Sequence, residues 1–449
     1  MNKTNRVDVK AFIDDRPMSS MQWLLLILCF LVVAADGMDV AIMGFLAPSI
    51  LQEWGASRAN FGLVMSAAPI GLVLGALIAG PASDRLGRKT VLTASVLLFG
   101  IFTIATAFTH NLTEMAALRL LTGLGLGAAM PNSTTLLSEY VPQRSRSFLI
   151  AVMFTGFNFG SGMVGFVAAW LIPEHGWRSV LIVGGALPLL LVPVLLILLP
   201  ESARFMVVRK VAHARIGTVL SRISRTSFPA GTEFFAPEPP LVTRKPIGVL
   251  FSSGYSLMTI ALWATYFMGL LVIYLLTGWL PTLIKDAGLS ISTAATITAM
   301  FQIGGTVGAI LVGWSMDRVA PTRVIATAYI AGAVCILCVG LGGPLSVLLG
   351  VMVTAAGFCM SGAQTGLNAF APSCYPTVAR ATGVSWMLGM GRFGSITGSL
   401  IGGVLLSMGW GFTSIISLLA IPAILAGLAV LMARRAEEIP VGQLRTSSS

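Results

Sequence analysis

Four charged side chains lie inside stretches of the chain that are otherwise apolar: Asp36 and Asp39 between Trp23 and Pro48, Arg119 in a later run, and Arg392 towards the C-terminal end. A charge at bilayer depth costs about 2.5–3.5 kcal/mol on insertion scales, so each must face a protein interior or a watery path rather than lipid. Asp36 and Asp39 are three residues apart and share nearly one face of a helix. Gly37 between them admits another backbone, or a solute, at close range. Such carboxylates either carry a proton or ion along a pathway or dock as a buried pair on a basic helix. Arg119 opens Arg119-Leu-Leu-Thr-Gly123-Leu-Gly125-Leu-Gly127, where positions 119, 123 and 127 stack on one face and set the guanidinium over a glycine groove. From there it can form a structural ion pair with Asp36 or Asp39. Arg392 is always charged and holds a carboxylate by two parallel bonds. The apolar spans of the second half contain no acid, so its partner is Asp36, Asp39 or an incoming anion.

Other polar and aromatic groups within apolar runs are compatible with a small solute. Asn132, Asn158, Gln302, Gln364 and Asn368 can bond a solute hydroxyl or tie helix to helix. Trp386, Phe393, Phe157 and Phe159 offer faces for a ring, or simply pack. His110, His175 and His213 fall in loops, which leaves no intramembrane histidine for proton relay. Cys335 and Cys338 form a C-x-x-C inside an apolar helix without histidine or acid nearby, and read as packing residues rather than a metal or redox site. With no nucleophile–base pair, metal cluster or phosphate loop, neither an enzyme nor a cofactor or metal is expected.

Long apolar elements must position these groups. Of 449 residues, 56% are hydrophobic and only 10% charged, and the mean hydropathy is +0.88. Too little charge remains to cover a soluble protein of this size. Apolar runs of about 20 residues, each enough for a ~30 Å hydrocarbon core, recur along the chain. The spacing predicts an all-α polytopic membrane protein with twelve spans: 22–47, 58–80, 88–109, 113–138, 147–172, 177–199, 254–280, 290–314, 322–343, 345–370, 382–407 and 411–433. They form two pseudo-symmetric six-helix halves, 22–199 and 254–433. The flanking segments are an N-terminus (1–21) without signal-peptide features, a linker (200–253) with a proline patch at Pro237, Pro239 and Pro240, and a tail (434–449).

Lys and Arg orient the chain. With the N-terminus inside, 23 fall on the cytoplasmic side and only Arg58, Arg178 and Lys285 outside, so both termini are expected in the cytoplasm. The net charge of +11 therefore expresses topology, not affinity for nucleic acid. The halves also echo each other. Gly80-Pro-Ala-Ser-Asp84-Arg85-Leu-Gly87-Arg88-Lys89 follows span two, and Gly313-Trp-Ser-Met-Asp317-Arg318 follows span eight, 233 residues later. Tyr140-Val-Pro142…Arg146 is matched by Tyr375-Pro376…Arg380. Repeats of this kind point to a transporter with its substrate near the membrane midplane.

The Gly80–Lys89 pattern resembles the loop signature of the major facilitator superfamily, and span count, long central loop and half-repeat fit over essentially the full chain. The resemblance implies that Gly80, Asp84, Arg85, Gly87 and Arg88, with Asp317 and Arg318 in the second copy, gate the inner face. Gly80 would allow close helix packing, and the second copy lacks the Gly-Arg-Lys ending. Arg119 and its glycines resemble the fourth-helix motif implicated in proton coupling. Span five, Gly156-Phe-Asn158-Phe-Gly160-Ser-Gly162, lacks the Gly-Pro of drug exporters in the superfamily. Asp36-Gly-Met-Asp39 with Gly44-Phe45-x-Ala47-Pro48, Pro200-Glu201-Ser202-Ala203-Arg204, and Arg380 through Gly383, Trp386, Gly389, Arg392 and Gly394 resemble the aromatic acid:proton symporter family.

That resemblance implies a monomeric carrier in the bacterial cytoplasmic membrane, importing benzoate-type or hydroxybenzoate-type acids with protons by alternating access. Arg392, with Arg119, Asp39, Asn158, Trp386 and Phe393, would meet the substrate; Asp36, Asp39 and Arg119 would couple protons. The alternatives are a symporter of another organic anion or a sugar-like solute, and a membrane sensor of aromatic acids. The first-helix carboxylate pair and the few amides speak against sugar, and no loop resembles a signalling domain.

Overall fold

The computed structural model describes residues 6–224, 228–229, 232–235, 246–252, 255–342, 346–375 and 377–437. The proline patch at Pro237, Pro239 and Pro240, the basic residues Arg225, Arg244 and Lys245, Pro376 of the second echo, and positions 438–449 of the tail lie outside them.

The long helices are α1 (Ser20–Trp54), α2 (Arg58–Leu86), α3 (Arg88–Thr106), α4 (Leu112–Tyr140), α5 (Arg146–His175) and α6 (Trp177–Leu198) in the first half. The second half has α7 (Ser256–Asp286), α8 (Ile291–Met316), α9 (Pro321–Leu341), α10 (Ser346–Phe370), α11 (Thr377–Ser407), α12 (Phe412–Leu418) and α13 (Ala420–Glu437). A single turn residue, Leu419, separates the last two, and 412–433 is apolar enough to cross a membrane as one stretch. By length and composition ten spans meet that test among the described residues. The two long helices that do not are α4 and α11, which carry Arg119 and Arg392.

Helix ends follow local chemistry. Asn111 Oδ1 accepts the Glu114 N–H at 2.9 Å to start α4, and Ser290 Oγ accepts the Thr293 N–H at 3.1 Å to start α8. Gly87 turns the chain between α2 and α3 with φ +96°, open to glycine at little cost. The first helix runs past the span end expected at position 47, through Pro48 to Trp54. A proline inside a membrane helix is tolerated where neighbouring elements satisfy the freed carbonyl, so it does not stop the helix here.

Contacts divide the chain into two units: Met1–Val40, Ile70–Ser161 and Leu181–Leu241, and then Ala41–Pro69, Gly162–Val180 and Val242–Ser449. In the first unit, glycines bring α1 against α5: a Cβ on Gly37 would strike the Phe157 carbonyl, and one on Gly160 the Ala34 carbonyl. In the second, α7 and α11 meet in the same way, with Gly394 and Gly398 against the Phe267 and Leu271 carbonyls. The half-repeat seen in the sequence is thus repeated in helix packing: α1 with α5, α7 with α11. The first unit also holds a part the hydropathy pattern missed. Strand β1 (Arg6–Asp8) pairs in parallel with β2 (Glu233–Phe235), and Arg6 Nε lies 3.3 Å from Glu233 Oε2. Phe234 is buried with Ile216 and Leu220 of the helix His213–Ser224, and Val9 and Ile13 belong to the same cluster, so N-terminus and linker join the core of the first unit's helices.

Candidate functional site

Asp39 on α1 and Arg119 on α4 are buried, 3% and 0% exposed. Arg119 Nη1 donates to Asp39 Oδ2 at 3.2 Å and Nη2 to Oδ1 at 3.3 Å, a two-pronged ion pair. Nη2 also donates to Thr103 Oγ1 on α3 at 3.1 Å and Thr122 Oγ1 at 3.2 Å. Thr103 Oγ1 in turn donates to Asp39 Oδ1. Three helices therefore fix one carboxylate–guanidinium pair, and both threonines escaped the sequence reading because a hydroxyl in an apolar run commonly bonds its own helix. Of the two acids, Asp39 is the one paired with Arg119, while Asp36 lies one turn away, 2% exposed. The narrow space at Gly37 is taken by a backbone, that of α5, whose Ser161 Oγ donates to the Gly37 carbonyl at 2.7 Å. Asn158, on the same helix, is half-buried.

Arg392, on α11 in the second unit, is half-buried, and its Nη1 lies 3.5 Å from the Tyr274 hydroxyl. It takes part in no ion pair among the described residues. On the same helix, Trp386 is 45% and Phe393 56% exposed, and Trp386 stacks on Trp263 with centroids 5.7 Å apart and planes 14° from parallel. The structure thus keeps the cations distinct: Arg119 is occupied by a carboxylate and Arg392 is not. Tyr274 was missed because a tyrosine in an apolar helix carries no signal of its own.

The residues of the first copy of the expected gating motif lie in the first unit, around the turn between α2 and α3. Arg88 Nη2 pairs with Asp84 Oδ1 at 3.1 Å, and Nη1 donates to the Ser83 carbonyl at 3.3 Å. The N–H groups of Arg88 and Lys89 donate to Glu201 Oε1 at 2.9 and 3.2 Å, so a carboxylate sits at the start of α3 where the helix dipole favours it. A Cβ on Gly87 would collide with Glu201. Arg209 Nη2 reaches the Asp84 and Arg85 carbonyls at 2.9 and 3.2 Å. Glu201 is thus the anchor of this loop, although the sequence marked it only as part of Pro-Glu-Ser-Ala-Arg. The expectation of close packing at Gly80 is corrected, because no atom of another helix lies within 4 Å of the position a Cβ would take. In the second copy, Asp317 caps the end of α8, and the Arg318 guanidinium lies over the Trp314 ring at 3.7 Å.

Comparisons with known proteins bear on this geometry. A family model described as Major Facilitator Superfamily matches residues 28–377 and 262–448. Over 425 residues the chain is 60% identical to a "Gallate transporter" of Pseudomonas putida, covering 95% of this chain and 94% of that protein. It is 52% identical over 428 residues to the "4-hydroxybenzoate transporter PcaK" of Pseudomonas aeruginosa, covering 95% and 96%. Among solved structures, a D-xylose–proton symporter superposes with a TM-score of 0.71 at 18% identity, over 92% of this chain and 97% of that one, a likeness of fold.

Proposed function

The chain belongs to the major facilitator superfamily, and from that premise we propose that it imports aromatic carboxylates of the benzoate and hydroxybenzoate class together with protons. The multi-pass carrier sits in the bacterial cytoplasmic membrane as a monomer, with both termini in the cytoplasm, and exposes its site to each side in turn. The substrate class rests on the gallate and 4-hydroxybenzoate transporters, similar along nearly the whole length. One observation carries the assignment of roles: Arg119 is neutralised by Asp39, whereas Arg392 is half-buried and outside every ion pair among the described residues. A guanidinium in that condition takes an anionic carboxylate with a two-pronged fork. Trp386 and Phe393 are exposed near it in sequence and supply apolar faces for the ring.

Protons act at the other pair. Adding one to Asp39 removes half of the ion pair with Arg119, and breaking a buried pair on one side costs about 3–5 kcal/mol. That is enough to make the arrangement of α1, α3 and α4 depend on whether the proton is present. Asp36 is the second candidate for the proton. The Asp84–Arg88–Glu201 cluster acts as a gate rather than a substrate site.

Uptake of labelled 4-hydroxybenzoate and gallate by cells expressing the chain, with and without a proton uncoupler, tests this function. Uphill accumulation that the uncoupler abolishes supports it. Accumulation unaffected by the uncoupler refutes proton coupling, and no uptake of any aromatic acid refutes the substrate class.

A further inference from the structure

The second compact unit does not follow the sequence halves: it takes in Ala41–Pro69 and Gly162–Val180 of the first half. These segments are the ends of α1, α2, α5 and α6 on the side expected to be external. There the halves meet at backbone distance. A Cβ on Gly44 of α1 would strike the Thr277 carbonyl of α7, and one on Gly403 of α11 the Arg58 carbonyl of α2. Beside this seam Phe61 of α2 meets Trp279 of α7 edge to face, with centroids 6.1 Å apart, and both rings are fully buried. The buried hydrogen bonds of Trp279 and Thr277 run inside the second half. Trp279 Nε1 donates to the Ser399 carbonyl at 2.8 Å, and Gln302 Nε2 to Thr277 Oγ1 at 3.1 Å. Polar ties across the seam lie at its rim instead. Arg58 Nη2 is 2.7 Å from Asp286 Oδ2, with side chains 40% and 34% exposed, and Lys285 Nζ donates to Gln52 Oε1 at 2.9 Å.

We propose that Arg58 and Asp286 form the latch of an outer gate, and that the glycine-faced seam beneath them is the surface that parts when the carrier opens outwards. This rests on the reading that the site is exposed to each side in turn. Parting the seam separates apolar surface and backbone without leaving a buried donor unpaired at Trp279 or Gln302, because each keeps its partner in its own half. The rim pair breaks in contact with water, where such a pair contributes little, so it biases the closed form without freezing it. Glycine is needed for the seal. A side chain at position 44 or 403 would hold the halves apart, since it meets backbone that cannot swing aside. A carrier whose outer side cannot seal lets substrate leak back and does not accumulate it.

The test follows a thiol placed beneath the seam. Met65 of α2 is 8% exposed, and its Cε lies against the place a Cβ on Gly278 of α7 would take, so Met65→Cys sets a thiol between the halves. An impermeant maleimide is added from outside to cells expressing the full-length protein, and labelling is read site by site. The native Cys29, buried in the first unit, is the control for unfolding. Arg58→Gln should speed labelling at position 65 by about two- to fivefold, the range an exposed pair supplies. Gly44→Ala should speed it by at least about fivefold. The charge swap Arg58→Asp with Asp286→Arg should bring the rate back towards that of Met65→Cys alone. Arg178→Gln, which breaks a similarly exposed pair inside the first half, should leave it unchanged. An unchanged rate in Arg58→Gln, a charge swap that restores nothing, or an equal rise in Arg178→Gln overturns the proposal. Should Gly44→Ala also label Cys29, and so have unfolded, Arg58→Gln and the charge swap decide. No uptake of any aromatic acid by the unaltered chain defeats the proposed function instead, a separate result that labelling at position 65 does not depend on.

Discussion

Arg392 and Asp39 differ most in what surrounds their charges, and single substitutions should separate their roles. Arg392→Lys keeps the charge but replaces a planar fork with a point donor. It should weaken 4-hydroxybenzoate binding by about tenfold, in line with the loss of one charge-assisted hydrogen bond of about 1.5 kcal/mol, while the folded yield is held. An unchanged affinity would remove Arg392 from the substrate site. Asp39→Asn is a lasting imitation of the protonated acid. It should still bind substrate, with less dependence on pH, and should fail to accumulate it against a gradient. Full proton-driven accumulation in both Asp39→Asn and Asp36→Asn would show that neither acid couples. The four intramembrane charges were legible in the sequence because charge in an apolar run is rare and costly. Their pairing was not, since spacing along one helix says nothing about which of two acids a third helix presents its arginine to. The hydroxyls of Thr103 and Thr122, which complete the ion pair, are invisible for the same reason.

At the level of the helices, glycine spacing announced close packing but could not say where. Gly160 and Gly80 show the two outcomes. A Cβ on Gly160 would strike the Ala34 carbonyl, and backbone cannot yield as a flexible side chain does. Gly160→Ala should therefore lower the folded yield and the melting temperature of the detergent-solubilised protein, by an overpacking cost of about 1–3 kcal/mol. Gly80→Ala has open space and removes a helix-interior glycine, worth roughly 0.5–1 kcal/mol in the opposite direction. Its melting temperature should stay level or rise. Equal destabilisation by both would mean that the contact between α1 and α5 does not carry the argument. Hydropathy identified the long helices because apolar length is a strong signal. It overlooked the β1–β2 pairing because three-residue strands are too short to show a period, and it ended α1 early because proline reads as a breaker out of context.

For the whole molecule, the two ends of the helices are set apart by how their positive charge is treated. The three basic residues expected outside are each engaged within the second unit. Arg58 Nη2 lies 2.7 Å from Asp286 Oδ2, Arg178 Nη1 lies 2.8 Å from Glu53 Oε1, and Lys285 Nζ donates to Gln52 at 2.9 Å. On the side expected to be cytoplasmic, 23 Lys and Arg collect, far more than its acids can match. Positive residues in short loops resist translocation, and this count sets orientation more strongly than net charge does. A reporter fused after Ser224 should therefore read as cytoplasmic, and one fused after Glu174 as external. Reversing the bias, by adding four lysines between His175 and Trp177 and replacing Arg85, Arg88 and Lys89 with glutamine, should lower the external signal at Glu174. An external reading after Ser224 in the unaltered chain would put the Asp84–Arg88–Glu201 cluster on the outer face. The gate assigned to the cytoplasmic end would then have to be reassigned to the other side of the membrane.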